Sequence, residues 1–109
     1  MKRLAFYGRS HADLSRFPEG PRRKAGYQLN LVQAGLDPED WKPMPSIGPG
    51  VREVRIRDAA GAFRVVYVAT FADAIYVLHA FQKKSQRTAM LDIELARSRF
   101  RQLAKELGS

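Results

Sequence analysis

The most informative segment of the chain is VREVRIRDAAGAFRVVYVATFADAIYVLHAFQKK, residues 51–84. Its first part, VREVRIR, alternates apolar and charged residues, as half-buried strands do. The later runs RVVYVATF and IYVLHAF are rich in β-branched and aromatic residues. A turn from Asp58 to Gly61 separates the first two runs, and a short ADA connection separates the second from the third. The segment therefore predicts an antiparallel meander of three strands.

The residues before the meander predict one short strand and a helical hairpin. Leu4, Phe6 and their neighbours form the strand. A first helix follows from Ser10, and a second runs from about Pro21, a residue suited to the first turn, to Gly35. The apolar stripe of the second helix consists of Ala25, Leu29 and Val32. Such a stripe is typical of a helix that packs one face on a core.

The segment between Gly35 and Gly50 contains four prolines and no sustained periodicity. These features predict a long surface connection. Trp41 lies in this connection, where an indole can either anchor the loop on the domain or offer a stacking platform for a nucleobase.

A final helix is predicted from about Thr88, with Thr88 as its cap. Its apolar residues recur at helical spacing: Ala89, Ile93, Ala96, Phe100, Leu103 and Leu107. At 109 residues the whole chain, 1–109, is expected to form one domain. The order of elements predicts an α+β fold with two layers, the sheet on one side and the helices on the other.

The composition is basic, with 19 lysines and arginines against 11 acidic residues and a formal charge of +8. Such a field attracts nucleic acid first, although an acidic protein or an anionic membrane surface would respond to it as well. The absence of cysteine excludes disulfides and thiolate metal sites, and favours a reducing cytoplasm. The N-terminal residues contain too few apolar positions for a signal peptide or a membrane span.

Cationic side chains are concentrated in the meander: Arg52, Arg55, Arg57, Arg64, Lys83 and Lys84. On the open face or rim of a sheet they would form a basic concavity that holds a phosphodiester backbone. Phe81 or Tyr67 could then stack on an unpaired base. The alternative is that these charges are solvated and only protect the edge of the sheet against strand addition.

His79, Phe81 and Lys83 are two residues apart and therefore share one face of a regular strand. RNA cleavage requires a proton acceptor for the 2′-hydroxyl, positive charge beside the phosphate and a proton donor for the 5′-oxygen. His79 and the lysines could move the protons, although a histidine beside an apolar strand is often structural. Glu53 could act as a base or pair with one of the arginines. The motifs of nucleotide- and metal-dependent enzymes are missing, and no cofactor is expected.

Four segments together resemble the phage-derived branch of the RelE/HigB toxin superfamily: GVREVRI (50–56), FRVVY (63–67), IYVLHAFQKKSQRT (75–88) and IELA (93–96). In that branch an acidic-Leu-Arg motif, a Tyr-Arg motif and His-x-Phe-x-Lys-Lys occur on successive strands. Here Val54 replaces the leucine, Phe63 replaces the tyrosine, and Ala89 stands where proline often follows the threonine.

The resemblance implies a small toxin that cleaves messenger RNA on the translating ribosome, needs no metal, and is neutralised by a cognate antitoxin, usually of the helix-turn-helix type. By position, the expected catalytic residues are Arg55, Arg64, His79 and Lys83. The residues expected to contact RNA are Arg52, Glu53, Arg57, Tyr67, Phe81 and Lys84. Two other functions remain open: a toxin of the ParE type that binds DNA gyrase, and a nonenzymatic nucleic-acid-binding module.

Overall fold

A computed structural model describes residues 1–85 and 88–108. Gln86 and Arg87, which belong to the quoted motif, lie outside the described residues. The strands are β1 (Leu4–Phe6), β2 (Trp41–Pro43), β3 (Val51–Asp58), β4 (Gly61–Val68) and β5 (Ile75–Lys83). The helices are α1 (Ser10–Ser15), α2 (Glu19–Gln33) and α3 (Met90–Glu106). The predicted α+β class, the helical hairpin and the final helix are confirmed.

The five strands form one sheet in the order β1-β5-β4-β3-β2. β3, β4 and β5 pair antiparallel in succession, as the meander prediction required. β1 pairs parallel to β5, with Leu4 opposite Ile75, and forms one edge. The opposite edge is β2, which pairs with β3 inside the segment that we expected to be an irregular connection. That expectation was wrong for Trp41–Pro43, because three residues are too few to show a strand periodicity.

Helices cover both faces of the sheet. α1 and α2 pack on one face, where Leu14 and Leu29 join Val65 and Val77 in a buried cluster. α3 packs on the other face, where Leu103 belongs to a cluster with the strand residues Val66, Val68 and Leu78. We expected a single helical layer. The central strands need cover on both sides because every residue of 63–68 and of 75–80 is buried, a continuous pattern rather than an alternating one.

Both predicted apolar stripes face these clusters. Ala25, Leu29 and Val32 of α2 are buried, and so are Ala96 and Leu103 of α3. The two ends of the α3 stripe, Ala89 and Leu107, are exposed. Among the described residues no helix is both long and apolar enough to cross a bilayer.

Gly48 allows α3 to approach the loop that precedes β3. A Cβ atom at Gly48 would lie 2.5 Å from the ring of Phe100, which packs on the α3 side of the core. We expect Gly48→Ala to lower the free energy of unfolding by about 1–3 kcal/mol, because the ring would have to move within a packed cluster. Chemical denaturation followed by circular dichroism would measure this change.

The matched control is Gly26→Ala in the middle of α2, where a Cβ atom would meet nothing within 4 Å. This variant should be more stable than the wild type by about 0.5–1 kcal/mol, since alanine restricts the unfolded chain and favours the helix. Equal stability of the two variants would contradict the proposed close packing at Gly48.

Candidate active site

The strand register places the charged residues of the meander in rows on one face of the sheet. Residues directly opposite each other in an antiparallel pair share a face, and so do residues two apart on one strand. The first row is Glu53, Val66 and His79; the second is Arg55, Arg64 and Phe81; the third is Arg57, Ala62 and Lys83. Val66 packs in the α3 cluster, so this is the face that α3 covers.

The first turn of α3 and the residue before it lie over the first row. The Thr88 hydroxyl donates a hydrogen bond of 2.8 Å to Glu53 Oε2, and Asp92 Oδ1 lies 2.7 Å from His79 Nε2. Along β3, Glu53 is buried, Arg55 is half-buried and Arg57 is exposed. The part of the sheet that α3 covers therefore ends between the first and third rows. A pocket of about 250 Å³ opens there, lined by Phe81, Gln82, Lys83, Lys84, Ser85, Ala89 and Asp92.

Arg64 of the second row and Glu53 of the first row form a buried ion pair. Arg64 Nε lies 3.4 Å from Glu53 Oε1, and the two side chains are 6% and 1% exposed. The Arg64 Nη1 group also donates to the carbonyl oxygen of Phe63 at 3.0 Å. Burial lowers the pKa of Arg64, and the positive charges of Arg55 and Arg57 lower it further. The negative charge of Glu53 acts in the opposite direction and raises the pKa.

Our expectation of an exposed guanidinium at Arg64 was therefore wrong. Arg64 lies beneath the site, neutralised by Glu53. Of the two roles considered for Glu53, the ion pair with an arginine is the one that the structure shows. Its second carboxylate oxygen is held by Thr88, which leaves Glu53 poorly placed to contact RNA.

Lys83 lies at the border of the pocket in a strongly cationic environment. Its pKa is lowered, first by desolvation and then by the charge of Arg64, with further contributions from Lys42 and Arg55. The carboxylate of Glu53 acts in the opposite direction and raises the pKa of Lys83. A lower pKa increases the neutral fraction of the amine at a given pH, so more of Lys83 is available to accept a proton than of an ordinary surface lysine.

His79 is held between two helices rather than exposed to a substrate. Its side chain is 7% exposed; Nε2 faces Asp92 of α3, and Nδ1 lies 3.6 Å from Asp13 of α1. The ring stacks on Phe81 with a centroid distance of 4.9 Å and an interplanar angle of 22°. Arg99 of α3 reaches the same Asp13 carboxylate at 3.3 Å.

This arrangement corrects the catalytic role that we predicted for His79. A general acid or base has to come within hydrogen-bond reach of the reacting group, and both ring nitrogens of His79 already face carboxylates in a buried position. His79 instead connects α1, α3 and the ring of Phe81, so it is a positioning residue for the floor of the pocket.

Tyr67 and Arg52, which were also predicted to contact RNA, lie away from the face that carries Arg55, Arg64 and Lys83. Tyr67 is 1% exposed and belongs to the core under α1 and α2, so the prediction that it stacks on a base was wrong.

Arg52 alternates with Glu53 along β3 and therefore lies on the opposite face from Arg55. Its guanidinium packs 3.9 Å from the centre of the Trp41 ring and donates to Asp37 at 2.8 Å. Trp41 thus anchors its segment against β3, as one of our two interpretations proposed.

The remaining predicted residues lie where RNA could reach them. Arg55, half-buried, and Arg57 and Lys84, both exposed, border the open part of the sheet, and Phe81 is half-buried at the pocket. The sequence interpretation missed Thr88 and Asp92 as parts of the site and treated Thr88 only as a helix cap. The hydroxyl of Thr88 bonds Glu53 rather than the helix backbone, and Ala89 occupies the N-cap position. No periodicity indicates this contact, because it depends on where α3 docks.

Comparison with known proteins gives a family and similar solved structures. The sequence model of the family described as "Phage derived protein Gp49-like (DUF891)" matches residues 12–101. No curated protein sequence matches the chain significantly. The solved structure of a mutant of the E. coli toxin RelE in the free state is similar, with a TM-score of 0.65 over 94% of this chain and 97% of that chain. Its sequence identity is 14%, so the likeness concerns the fold.

Proposed function

The chain belongs to the Gp49-like family of phage-derived proteins, and from that premise we propose that it is the toxin of a type II toxin-antitoxin system. The proposed activity is endonucleolytic cleavage of messenger RNA on the translating ribosome, without a metal ion. The observation that carries this proposal is the convergence of Arg55, Arg64 and Lys83 from three adjacent strands on one face of the sheet, beside the ring of Phe81. The RelE-like fold supports it.

The proposed chemistry is attack of a 2′-hydroxyl on the adjacent phosphorus. The 2′-oxygen forms a new bond to phosphorus and loses its proton, and the bond to the 5′-oxygen breaks as that oxygen gains a proton. The products are a 2′,3′-cyclic phosphate and a 5′-hydroxyl. Lys83, with its lowered pKa, is the candidate acceptor of the 2′-hydroxyl proton, and water supplies the proton that the leaving 5′-oxygen gains. Arg55 stabilises the charge that develops on the phosphorane. Arg64, paired with Glu53, supports the site from below and is one of the cations that lower the pKa of Lys83.

The proposal includes two kinds of partner and a compartment. A cognate antitoxin, of the helix-turn-helix type by resemblance, would neutralise the toxin, and the ribosome with its bound message would be the target. Translation takes place in the cytoplasm, so we place the activity there. The chain has 19 lysines and arginines against 11 acidic residues, a formal charge of +8. Such a charge favours association with RNA-rich particles, because cationic side chains that bind phosphates release their counterions.

The direct test is inducible expression followed by mapping of the 5′ ends of a translated message. We expect growth arrest with new 5′ ends inside the coding region, and roughly 10²-fold less cleavage with Arg55→Ala, because one charge-stabilising group is removed. Arg3→Ala is the matched control, since Arg3 is a 64% exposed cation beside the start of β5, away from Lys83 at its end.

The proposal fails if growth stops while every translated message stays intact, or if Arg55→Ala cuts as fast as the wild type. Inhibition of DNA supercoiling by the purified protein, with normal translation, would instead support a toxin of the ParE type. Salt-sensitive RNA binding without growth arrest would support a nonenzymatic binding module.

A further inference from the structure

A groove lies at the edge of β3, next to the candidate active site. β2 pairs with β3 only as far as Val54, so the part of β3 from Arg55 to Asp58 lies beyond the β2 ladder. α2 packs beside this part of the strand, and the two leave a groove of about 460 Å³ between them. The residues that line it are Arg23, Lys24, Tyr27, Gln28, Glu39, Asp40, Arg55, Ile56 and Arg57.

The walls of the groove are held by specific hydrogen bonds. Gln28 of α2 donates to the Glu39 carboxylate and accepts from the Glu39 backbone N–H, both at 2.8 Å. At the other end, Lys24 donates to the carbonyl oxygen of Arg57 at 2.8 Å and lies 3.1 Å from Asp58. These contacts connect α2 to both sides of the groove, so the groove is formed before any ligand arrives.

The chemistry of the lining fits a nucleotide. Tyr27 is 54% exposed, and its ring provides an apolar surface on which a base can stack. Of the four cations that line the groove, Arg23 pairs with Glu19, Lys24 with Asp58 and Arg55 with Asp40, whereas Arg57 forms no ion pair among the described residues. Glu39 is already bonded to Gln28, and Asp40 lies 3.9 Å from Arg55. Arg57, which is exposed, is placed to hold a phosphate.

The groove is continuous with the cationic row of the candidate active site. Phe81, Arg64 and Arg55 follow one another across β5, β4 and β3, and the groove begins at Arg55. Neighbouring strands are about 4.8 Å apart, so this row covers about 10 Å across the sheet. The row lies on the α3 face and α2 packs on the other face, so a single strand of RNA that crosses the row has to pass around the edge of β3, beside Arg55, to place its next nucleotide in the groove.

We infer that the groove between α2 and β3 is a subsite for a single unpaired nucleotide of RNA, in which Tyr27 stacks on the base and Arg57 holds the phosphate. This inference rests on the proposed ribonuclease function and extends its substrate contacts beyond the point of cleavage. The nucleotide comes either from the message or from the ribosomal RNA beside it, since both present the same chemistry.

Binding of a short labelled single-stranded RNA to the purified protein tests the subsite. Tyr27→Ala should weaken binding roughly 5- to 100-fold, as expected for the loss of one stacked base, and Tyr27→Phe should recover most of it. Arg57→Ala should reduce the slope of log affinity against log salt by about 1. Asn30→Ala, an exposed polar side chain one turn further along α2, is the matched control and should bind as the wild type does. Unchanged affinity in Tyr27→Ala would overturn the inference.

The source of the nucleotide follows from two further measurements on Tyr27→Ala. A changed distribution of cleavage sites along a translated message would assign the nucleotide to the message. Weaker co-sedimentation with ribosomes and an unchanged distribution would assign it to ribosomal RNA.

If Tyr27→Ala binds RNA normally but escapes neutralisation by the antitoxin, the groove is a protein interface and the inference is wrong. Loss of RNA binding in Tyr27→Ala together with no cleavage by the wild type would contradict the proposed function and leave the subsite standing.

Discussion

Arg64→Ala is expected to lower the free energy of unfolding by about 3–5 kcal/mol, because it leaves the Glu53 carboxylate charged, buried and without its ion-pair partner. Both side chains are almost fully buried, so solvent cannot compensate for the missing guanidinium. The remaining hydrogen bond from Thr88 satisfies one carboxylate oxygen only. Chemical denaturation of the purified variant would measure the change.

The control for this prediction removes both charges together. A double variant, Glu53→Leu with Arg64→Met, keeps similar volumes and should have a stability much nearer to that of the wild type than the Arg64→Ala variant has. A stable double variant that does not cleave RNA would show that the Glu53–Arg64 pair is needed for activity as well as for stability. Wild-type stability in Arg64→Ala would show that the buried pair contributes little.

Lys83→Ala is expected to reduce RNA cleavage by roughly 10²- to 10⁴-fold, the range for loss of a group that transfers a proton in the transition state. Lys83 is only half-buried, so the variant should remain folded. Cleavage of a translated message at a fixed toxin concentration would measure the loss. Arg3→Ala again serves as the control for removal of one positive charge.

Lys83→Arg and the pH dependence distinguish proton transfer from simple charge stabilisation. Arginine keeps the charge but does not release its proton, so a proton-transfer role predicts that Lys83→Arg is as inactive as Lys83→Ala. With Lys83 as the proton acceptor, cleavage should rise with pH as the ammonium loses its proton. Because Arg55 is one of the cations that lower the pKa of Lys83, Arg55→Ala should move this rise to higher pH. Full activity of Lys83→Arg would exclude proton transfer by Lys83.

Local patterns predicted the elements of the fold well. The alternation in VREVRIR and the β-branched runs that follow it correspond to β3, β4 and β5, and the turn after Asp58 lies where the sequence placed it. The stripes of α2 and α3 are the faces that those helices bury. β2 was missed because its three residues form a strand only through pairing with β3. The second helical layer was missed although the continuous burial of β4 and β5 follows from their apolar sequences.

The site was predicted less completely, and the reason is geometric. Strand parity placed His79, Phe81 and Lys83 on one face, and the register confirms that they lie there with Arg64 and Arg55. Parity does not indicate where a covering helix begins. α3 starts over the first row, which buries Glu53 and His79, whereas Arg57 in the third row stays exposed.

The sequence by itself therefore determined every helix and strand except β2, the order of these elements, the basic character of the meander and the side chains that share a face. These properties depend on neighbours a few residues apart, because hydrophobic periodicity and turn chemistry act over that distance. Only the tertiary structure decided that Arg64 is neutralised by Glu53, that His79 is clamped by Asp13 and Asp92, and that Tyr67 lies in the core. Burial and ion pairing depend on how helices distant in the chain dock on the sheet, and local periodicity carries no information about that docking.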